Sequence, residues 1–197
     1  MLVQPEWRES SDEELVRLTL KYPDAFGVIM MRYEPKLLRY VRTISRASKE
    51  EAEDILQEAF LKAYRNLNGF DTDQKYSSWM YRIVRNETIS WHRKMSARAE
   101  GRTDIYSAED LSHFASKEHI ISKLEQDQLH GIVRNVLDTM DKKYRDVLIL
   151  KYLEDREYKD ISFILQKPMG TIATLLNRAK KQFREVAKRC GTDLELL

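Results

Sequence analysis

The sequence predicts an all-α protein made of two small helical domains joined by a flexible linker, the C-terminal one containing a helix-turn-helix. Apolar residues recur every three or four positions through most of the chain, which is the period of amphipathic helices. Only four prolines and six glycines interrupt the 197 residues. The period lapses from about residue 96 to residue 117, around Gly101, so we expect the linker there.

Domain boundaries follow from that lapse. We place the N-terminal helical domain at residues 1–97, the linker at 98–119 and the C-terminal domain at 120–197. A sparse helix could form within residues 108–114. Each half carries enough apolar residues at helical spacing to form its own core.

The composition indicates a soluble protein of a reducing compartment. Charged residues make up 34% of the chain and hydrophobic residues 42%, and no apolar run approaches the roughly 20 residues that span a bilayer. The N-terminus lacks the apolar core of a signal peptide, which favours a cytoplasmic location without stable membrane insertion. The single cysteine, Cys190, precludes an internal disulfide and a cysteine-based zinc site within one chain.

Charge is segregated along the chain although the net charge is only +2. Residues 49–58 hold five acids against one lysine, whereas residues 75–98 and 171–189 each hold six basic residues against one glutamate. Two separate basic stretches suggest two nucleic-acid contacts, and the acidic stretch suggests a separate protein contact. Charged stretches are more often simply solvated faces of helices, which is the alternative interpretation.

Capping boxes at residues 11–14 and 48–51 each predict the start of a helix in the N-terminal half. Between them a long helix spans about residues 25–45, and Pro35 should kink or divide it. The helix after Ser48 has a core stripe, and its opposite side mixes carboxylates with a leucine: Asp54, Gln57, Glu58, Leu61 and Arg65. That mixture suits docking on a basic helical partner, although a solvated face is the plainer interpretation of these residues in isolation.

Residues 70–94 combine a polar loop with a helix and read FDTDQKYSSWMYRIVRNETISWHRK. Ser77 or Ser78 would cap this helix. One face carries Met80, Ile83, Val84 and Glu87, and a second carries Trp79, Arg82, Asn86, Ile89 or Ser90, and Arg93. Aromatic rings among arginines suit a single nucleic-acid strand, because rings stack on bases and guanidinium groups meet phosphates. An ordinary amphipathic helix with a solvated basic face is the equally weighted alternative.

The C-terminal half predicts a helix-turn-helix. Asp141 caps one helix, a shorter helix follows at residues 157–166, and the turn KPMG precedes a final long helix that Thr171 would cap. In a helix-turn-helix the second helix enters the major groove by its N-terminal turns. Asn and Arg side chains there suit base edges, and lysines suit phosphates.

Three segments resemble bacterial RNA polymerase sigma factors. Residues 52–60, AEDILQEAF, look like the family's AED-hydrophobic-hydrophobic-QE-x-F segment, and residues 76–86, YSSWMYRIVRN, resemble its FxxWLxxIAxN segment. Residues 168–172, PMGTI, followed by RAK at 178–180, resemble the PVGTV…RAR of its C-terminal helix-turn-helix. With only these two domains, the chain is similar to the small extracytoplasmic-function (ECF) group.

That resemblance implies two partners for the N-terminal domain. Four residues match the surface that docks on the clamp helices of core RNA polymerase: Asp54, Gln57, Glu58 and Leu61. Eight residues would recognise and melt the promoter −10 element, with the loop before the helix receiving a flipped base: Phe70, Asp71, Lys75, Tyr76, Trp79, Arg82, Asn86 and Arg93. The linker would run through the polymerase near the RNA exit path.

The resemblance also implies that the C-terminal domain reads the −35 element of promoter DNA as a duplex. Six residues would do so: Lys167, Thr171, Thr174, Asn177, Arg178 and Lys181. Members of this family are commonly held inactive by an anti-sigma factor, so such a partner is expected. The implied function, which directs polymerase to promoters, needs no cofactor, metal or catalytic residue.

Some positions depart from the family pattern. Ala173 and Leu175 stand where basic residues are usual, which shifts duplex readout towards Thr174, Asn177 and Arg178. The usual Gly-Leu-Ser turn before the helix-turn-helix is replaced by DRE at residues 155–157. The Trp-His pair at 91–92 replaces a commoner aspartate-containing pattern, which leaves the details of the melting surface open.

Two other classes of function fit the sequence less well. A stand-alone helix-turn-helix regulator would bind duplex DNA without polymerase, usually as a dimer, and no dimerisation heptad or ligand pocket is evident in the sequence. A metal-dependent nuclease would need clustered ligands. The four histidines (His92, His113, His119 and His130) lack the spacing of a metal site, and no nucleophile constellation accompanies them.

Overall fold

The computed structural model describes residues 4–100 and 122–189, and within them every regular element is a helix. Short 3-10 turns at Pro5–Glu9, Pro23–Ala25 and Leu67–Gly69 connect the longer helices of the N-terminal half. The α-helices in these residues are α1 (Asp12–Lys21), α2 (Phe26–Ser45), α3 (Lys49–Arg65), α4 (Tyr76–Glu100), α5 (Ser122–Thr139), α6 (Lys142–Leu148), α7 (Tyr158–Leu165) and α8 (Met169–Arg189).

The N-terminal domain packs α2, α3 and α4 against one another, with α1 against α2. Both predicted capping boxes are confirmed. The Ser11 and Ser48 hydroxyls accept hydrogen bonds from the amides of Glu14 and Glu51, and each glutamate carboxylate accepts the amide of its serine. These reciprocal bonds satisfy amides that the first turn of a helix leaves without partners.

The sequence predicted that Pro35 would kink or divide the second helix, but Pro35 does not divide α2. The helix is continuous from Phe26 to Ser45 with Pro35 exposed inside it. Tyr33 and Leu37 are buried on either side of the proline. Packing of this apolar stripe against α3 and α4 holds the helix together despite the lost backbone hydrogen bond.

The start and end of α4 differ from the prediction. Neither Ser77 nor Ser78 is the N-cap, because the Lys75 carbonyl accepts the amides of Ser78 and Trp79 and Tyr76 is the first helical residue. The burial of Tyr76 and Ser78 explains this earlier start. At the other end α4 continues to Glu100, past the residue where apolar periodicity ends, since alanine and arginine sustain a helix without a packing stripe.

The C-terminal domain packs α5, α6 and α7 against α8. Asp141 occupies the predicted N-cap of α6, and α6 continues into a π-helical segment, Ile149–Leu153. Most of the predicted linker and the sparse helix at 108–114 lie outside the described residues. The observed architecture is therefore the two-domain, all-helical one that the sequence predicted.

Helices α7 and α8 form the predicted helix-turn-helix. Gln166 ends α7 in the left-handed conformation, and the Ser162 hydroxyl donates to the Lys167 carbonyl at 2.6 Å, which fixes the turn. The sequence predicted Thr171 as the cap of α8, but Thr171 is the third residue of that helix. The Pro168 carbonyl accepts the Ile172 amide, and proline's fixed φ suits the entry into a helix.

Candidate nucleic-acid and polymerase interfaces

Three aromatic rings predicted to contact a DNA strand are buried at the start of α4. Phe70, Tyr76 and Trp79 lie 5.2–5.6 Å from one another between ring centroids, and each is at most 8% exposed. Tyr33 of α2 adds an edge contact to Tyr76 at 5.7 Å. In this conformation the rings complete the core between α2 and α4 rather than line a surface, and their contact with DNA stays a prediction.

The loop before α4 sits on this aromatic cluster and is shaped by Asp71. Its carboxylate accepts the Asp73 amide at 3.0 Å and the Gln74 side-chain amide at 3.3 Å. The backbone carbonyl of Asp71 accepts the amide of Gln74 at 3.1 Å, which closes a tight turn. Asp71, Thr72 and Asp73 are exposed, so the loop presents polar edges beside the buried aromatic rings.

The remaining predicted strand-contacting residues divide into two groups. Asn86 and Arg93 are exposed on α4. Arg82 is half-buried, with its guanidinium carbon 4.1 Å from the ring centroid of Phe163 in α7, and this burial lowers the pKa of Arg82. Lys75 is exposed but paired with acids of the C-terminal domain.

The predicted docking face of α3 is open. Asp54, Gln57, Glu58 and Leu61 are all exposed, and 42% of the leucine's surface is accessible. The structure therefore brings the three polar residues and an apolar side chain together on one outer face of a helix whose other side is core. Carboxylates around an exposed leucine form the kind of surface that a basic helix covers well.

The predicted duplex-reading residues lie on or beside α8 and are all exposed: Lys167, Thr171, Thr174, Asn177, Arg178 and Lys181. The opposite side of α8 is buried through Ile172, Leu176, Ala179 and Phe183. The Thr174 hydroxyl donates to the Gly170 carbonyl at 3.0 Å, which satisfies its donor within the helix. This face is thus accessible to a groove in the conformation observed.

Sequence reasoning missed a set of C-terminal residues that meet α4. The carboxylate of Asp160 in α7 accepts the Lys75 amine at 3.1 Å and the Ser78 hydroxyl at 2.9 Å. Asp160 is only 7% exposed. The hydrogen bond between Lys75 and Asp160 is the main cause of the raised pKa of Lys75. Glu157 also approaches the Lys75 amine, at 3.4 Å.

A second group of contacts joins the middle of α4 to the C-terminal domain. Arg85 donates to the buried carboxylate of Asp146 at 2.8 and 3.2 Å. The Tyr81 hydroxyl donates to the Glu154 carboxylate at 2.5 Å. The guanidinium carbon of Arg156 lies 4.1 Å from the centroid of the Tyr81 ring. Burial, together with the Glu154 contact, raises the pKa of Tyr81 to about 12.

Arg156 also donates to the Ser77 hydroxyl at 3.0 Å. The segment 155–157, which departs from the family's usual turn, was the sequence signal for this contact. At the second departure, residues 91–92, burial and then the charges of Lys142 and Arg145 lower the pKa of His92. We call the whole set of contacts between α4 and the C-terminal domain the domain junction.

Comparison with known proteins defines the class. Residues 29–98 match the family model of sigma-70 region 2, and residues 130–183 match that of sigma-70 region 4. These two ranges contain the docking face with the α4 surface and the helix-turn-helix, respectively. The chain thus contains two regions of the sigma-70 type, in the order region 2 and then region 4.

Similarity to curated proteins identifies the family within this class. The chain is 31% identical over 169 residues to the ECF RNA polymerase sigma factor SigW of Bacillus subtilis, covering 82% of this chain and 88% of that protein. It is 31% identical over 182 residues to the RNA polymerase sigma-H factor of Pseudomonas aeruginosa, covering 88% and 92%. The chain belongs to the ECF family of RNA polymerase sigma factors.

Solved structures share the fold. The sigma factor RpoE of Bartonella quintana, solved with the anti-sigma factor NepR, has a TM-score of 0.66 and 21% identity, covering 84% of this chain and 98% of that one. CnrH, solved with the cytosolic domain of CnrY, also has a TM-score of 0.66, at 17% identity, covering 91% and 99%. At these identities the likeness concerns the fold alone.

The family membership gives the activity. The protein binds core RNA polymerase, directs it to specific promoters and helps to melt DNA for transcription initiation. Sigma factors are non-enzymatic as a family. No helix within residues 4–100 and 122–189 combines the length and apolar character needed to cross a membrane.

Proposed function

We propose a division of labour in which each exposed face has one partner. Residues 1–97 dock on core polymerase and open the −10 element, residues 98–119 connect the domains, and residues 120–197 read the −35 duplex. The observation that carries this assignment is the location of two chemically unlike faces, the acidic one on α3 and the basic one on α8, on separate domains. One acts on protein and the other on DNA.

Docking on core polymerase is assigned to Asp54, Gln57, Glu58 and Leu61. Their exposure on one side of α3 supports this, and charge complementarity accelerates association with a basic surface. The double variant Asp54→Arg/Glu58→Arg should weaken core binding at least about tenfold, measured by fluorescence anisotropy with labelled protein. Glu34→Arg, another exposed acid reversed on α2, is the matched control.

An Asp54→Arg/Glu58→Arg variant that binds core polymerase as tightly as Glu34→Arg would overturn the docking assignment. Circular dichroism of both variants would show that the helices remain folded. Equal helicity with unequal binding is the expected result.

Strand capture is assigned to the loop and the exposed edge of α4. The exposed members are Asp71, Lys75, Asn86 and Arg93, with Arg82 half-buried at the junction. Phe70, Tyr76 and Trp79 take part as the buried floor that holds the loop in shape, rather than as stacking surfaces in this conformation. Capturing an unstacked base offsets the few kilocalories per mole that unstacking costs, so binding can open the duplex without ATP.

Asp71→Ala tests strand capture, because it removes the carboxylate that shapes the loop while leaving the aromatic floor intact. Open-complex formation, followed by permanganate reactivity of unpaired thymines, should fall, and core binding should be retained. The control is Asn68→Ala, an exposed polar residue just before the loop. Normal melting by Asp71→Ala would show that the loop is not the capture site.

Duplex reading is assigned to Lys167, Thr171, Thr174, Asn177, Arg178 and Lys181. Their joint exposure at the first turns of α8 supports this, since base edges in the major groove need accessible amide and guanidinium donors. A gel shift with free protein separates this assignment from a stand-alone regulator. Specific binding should be feeble without polymerase and strong in the holoenzyme.

The remaining assignments follow from the family. We propose that the protein acts in the cytoplasm, where polymerase and promoters are found, and that it carries no catalytic site. An anti-sigma factor is a proposed partner, and the RpoE structure, which was solved with the anti-sigma factor NepR, supports this. Co-purification of the tagged protein from cells, with and without core polymerase bound, would identify that partner.

A further inference from the structure

We propose that Asp12 is a positioning residue for strand capture: it fixes Tyr33, and through Tyr33 the aromatic rings that hold the two ends of the loop at residues 71–75. The inference rests on the proposed function of that loop. It adds a part to the capture site, residues 4–21, which we call the N-terminal segment. This segment precedes residues 29–98, which match the family model of sigma-70 region 2.

The N-terminal segment is fixed to α2 by the side chain of Arg32. The Arg32 guanidinium donates to one oxygen of the Asp12 carboxylate. It also donates to the backbone carbonyls of Arg8 at 3.1 Å and Ser10 at 2.9 Å. A planar guanidinium that donates to a carboxylate and two carbonyls of one segment restrains that segment strongly. Asp12 therefore has a defined position relative to α2.

The other oxygen of the Asp12 carboxylate accepts a hydrogen bond from the hydroxyl of Tyr33 in α2. Tyr33 is only 5% exposed, and a buried hydroxyl without a partner is costly. Burial, and then the hydrogen bond to Asp12, raises the pKa of Tyr33, so its hydroxyl remains a donor. Because the hydroxyl has to point at Asp12, the bond restrains the orientation of the whole ring.

The Tyr33 ring transmits this restraint to the capture loop. Its edge contacts the ring of Tyr76, with 5.7 Å between the centroids and an interplanar angle of 70°. Tyr76 in turn lies 5.5 Å from Phe70. Phe70 directly precedes the loop and Tyr76 directly follows it, so the contact between these two rings sets the distance between the two ends of the loop. Burial, and then the charge of Asp12, raises the pKa of Tyr76, which places that charge near the ring.

The N-terminal segment also supports the loop from its other end. Helix α1 contacts α4 and the 3-10 turn Leu67–Gly69 as well as α2. The Leu67 carbonyl accepts the amide of Phe70 at 3.1 Å, so this turn leads directly into the loop. Ordering a mobile loop at the moment of binding costs free energy, and a loop that is already held in shape avoids that cost. Loss of Asp12 should therefore weaken base capture without removing any group that contacts DNA.

An abasic scan distinguishes positioning from a general structural role. Holoenzyme is bound to a fork-junction promoter with an unpaired non-template −10 strand, and to the same DNA with an abasic site at each position in turn. Wild type should lose most affinity when the captured base is missing. Asp12→Ala should bind the intact fork at least about fivefold more weakly than wild type, and the fork that lacks the captured base equally well. A variant that is merely destabilised would lose the same factor on both DNAs.

Tyr33→Phe keeps the ring and removes only the hydroxyl that Asp12 accepts. It should show the same base-dependent loss, and it leaves the contacts of Arg32 in place, so it decides the question even where Asp12→Ala releases the N-terminal segment. The double variant Asp12→Ala/Tyr33→Phe should lose no more than Asp12→Ala alone, because both substitutions break one bond. Fully additive losses would show that the two residues act separately, which contradicts the proposal.

Glu13→Ala is the matched control. It removes the neighbouring carboxylate from the same first turn of α1, so it has the same effect on the helix dipole as Asp12→Ala. This control should match wild type on both DNAs. Core binding, measured by fluorescence anisotropy, should be equal for all variants.

The outcomes separate this inference from the proposed function. If Asp71→Ala loses the dependence on the captured base while Asp12→Ala and Tyr33→Phe bind both forks like wild type, or weaken both equally, positioning by Asp12 is wrong and strand capture by the loop stands. If Asp71→Ala retains the full base dependence of wild type, the loop is not the capture site, and the role of Asp12 fails with it.

Discussion

The two helices proposed to contact DNA differ in what lies over them. The reading face of α8 is exposed from Thr171 to Lys181. By contrast, Lys75 just before α4 and Arg82 and Arg85 on it each have a partner in the C-terminal domain. Two basic helices in one chain thus differ in the same conformation: the reading face of α8 is open, whereas that of α4 is partly covered, with Asn86 and Arg93 still exposed.

The difference arises from how each helix uses its apolar side. The buried side of α8 packs against α5, α6 and α7, and this packing leaves its polar side free. Helix α4 is enclosed from both directions, by α2 and α3 on one side and by α7 on the other. Covering a cationic face costs less when carboxylates and rings replace water than when nothing does, and the domain junction provides both.

Tyr76→Ala should have the largest effect, because it leaves a cavity in the domain core at the start of α4. Tyr76 is fully buried between Phe70, Trp79 and Tyr33, so its truncation should destabilise the N-terminal domain by about 3–5 kcal/mol. Urea unfolding followed by circular dichroism measures the loss. Unchanged stability combined with lost melting would mean that the ring contacts DNA directly and would remove part of the contrast with α8.

Tyr76→Phe is the control for that variant. The Tyr76 hydroxyl donates to the Met80 sulfur at 3.9 Å, and a thioether is a weak acceptor. The phenylalanine variant should therefore retain stability to within about 1 kcal/mol.

Arg178→Ala should have the next largest effect and acts on the exposed helix. Loss of a guanidinium that contacts a base edge should weaken holoenzyme binding at a −35 element by about 1–3 kcal/mol and relax sequence preference at one position. Binding to wild-type and base-substituted duplexes measures both quantities. Lys188→Ala near the end of α8 is the control, and equal losses from the two variants would indicate only general attraction to phosphates.

Acidification should loosen the domain junction by a modest amount. Burial and the charges of Lys142 and Arg145 hold the pKa of His92 below its ordinary value, so the unfolded or open state binds the proton more readily. The stabilisation is present above the ordinary histidine pKa and is lost as pH falls below it. Unfolding free energies from pH 8 to pH 5.5 should decline more for wild type than for His92→Gln.

An NMR titration of His92 gives an independent check on that mechanism. Its midpoint should rise when Lys142→Ala removes one of the facing charges. An unchanged midpoint would mean that the charge of Lys142 does not contribute to the lowered pKa of His92.

Thr174→Val should have the smallest effect. The Thr174 hydroxyl already donates its hydrogen to the Gly170 carbonyl, so it has none left to donate to a base, and valine keeps the methyl group. Affinity for the −35 duplex should change by about 0.5 kcal/mol or less, whereas Thr174→Ala should lose more. A large loss from valine would show that the hydroxyl leaves the helix carbonyl to bind DNA.

Local sequence patterns predicted most of the helices. Ser11 and Ser48 predicted the starts of two helices, because each capping box lies within four consecutive residues. The helical period of apolar residues was sufficient to predict α2 and α3. The prediction failed at Ser78 and Thr171, both good capping residues that lie inside helices. Burial of Tyr76 and the entry through Pro168 outweighed their intrinsic preference.

Exposure was predicted correctly for some candidate site residues and not for others, because burial also depends on contacts that are distant in the sequence. Docking and duplex-reading residues on α3 and α8 are exposed as expected, since a polar face opposite a core stripe can be read from spacing alone. For Phe70, Tyr76 and Trp79, spacing could not tell a stacking surface from a core, because both require aromatic rings on one side of a helix. Only the positions of α2 and the preceding loop decide between them.

The sequence by itself determined the helical class, the helix-turn-helix, the family and the location of the charged faces, because each depends on residues close together in the chain. Tertiary structure alone decided which faces are open. Asp160 meets Lys75 across 85 positions and Asp146 meets Arg85 across 61, and no local pattern encodes such separations. Whether the basic face of α4 is exposed or masked is therefore a property of how the two domains pack.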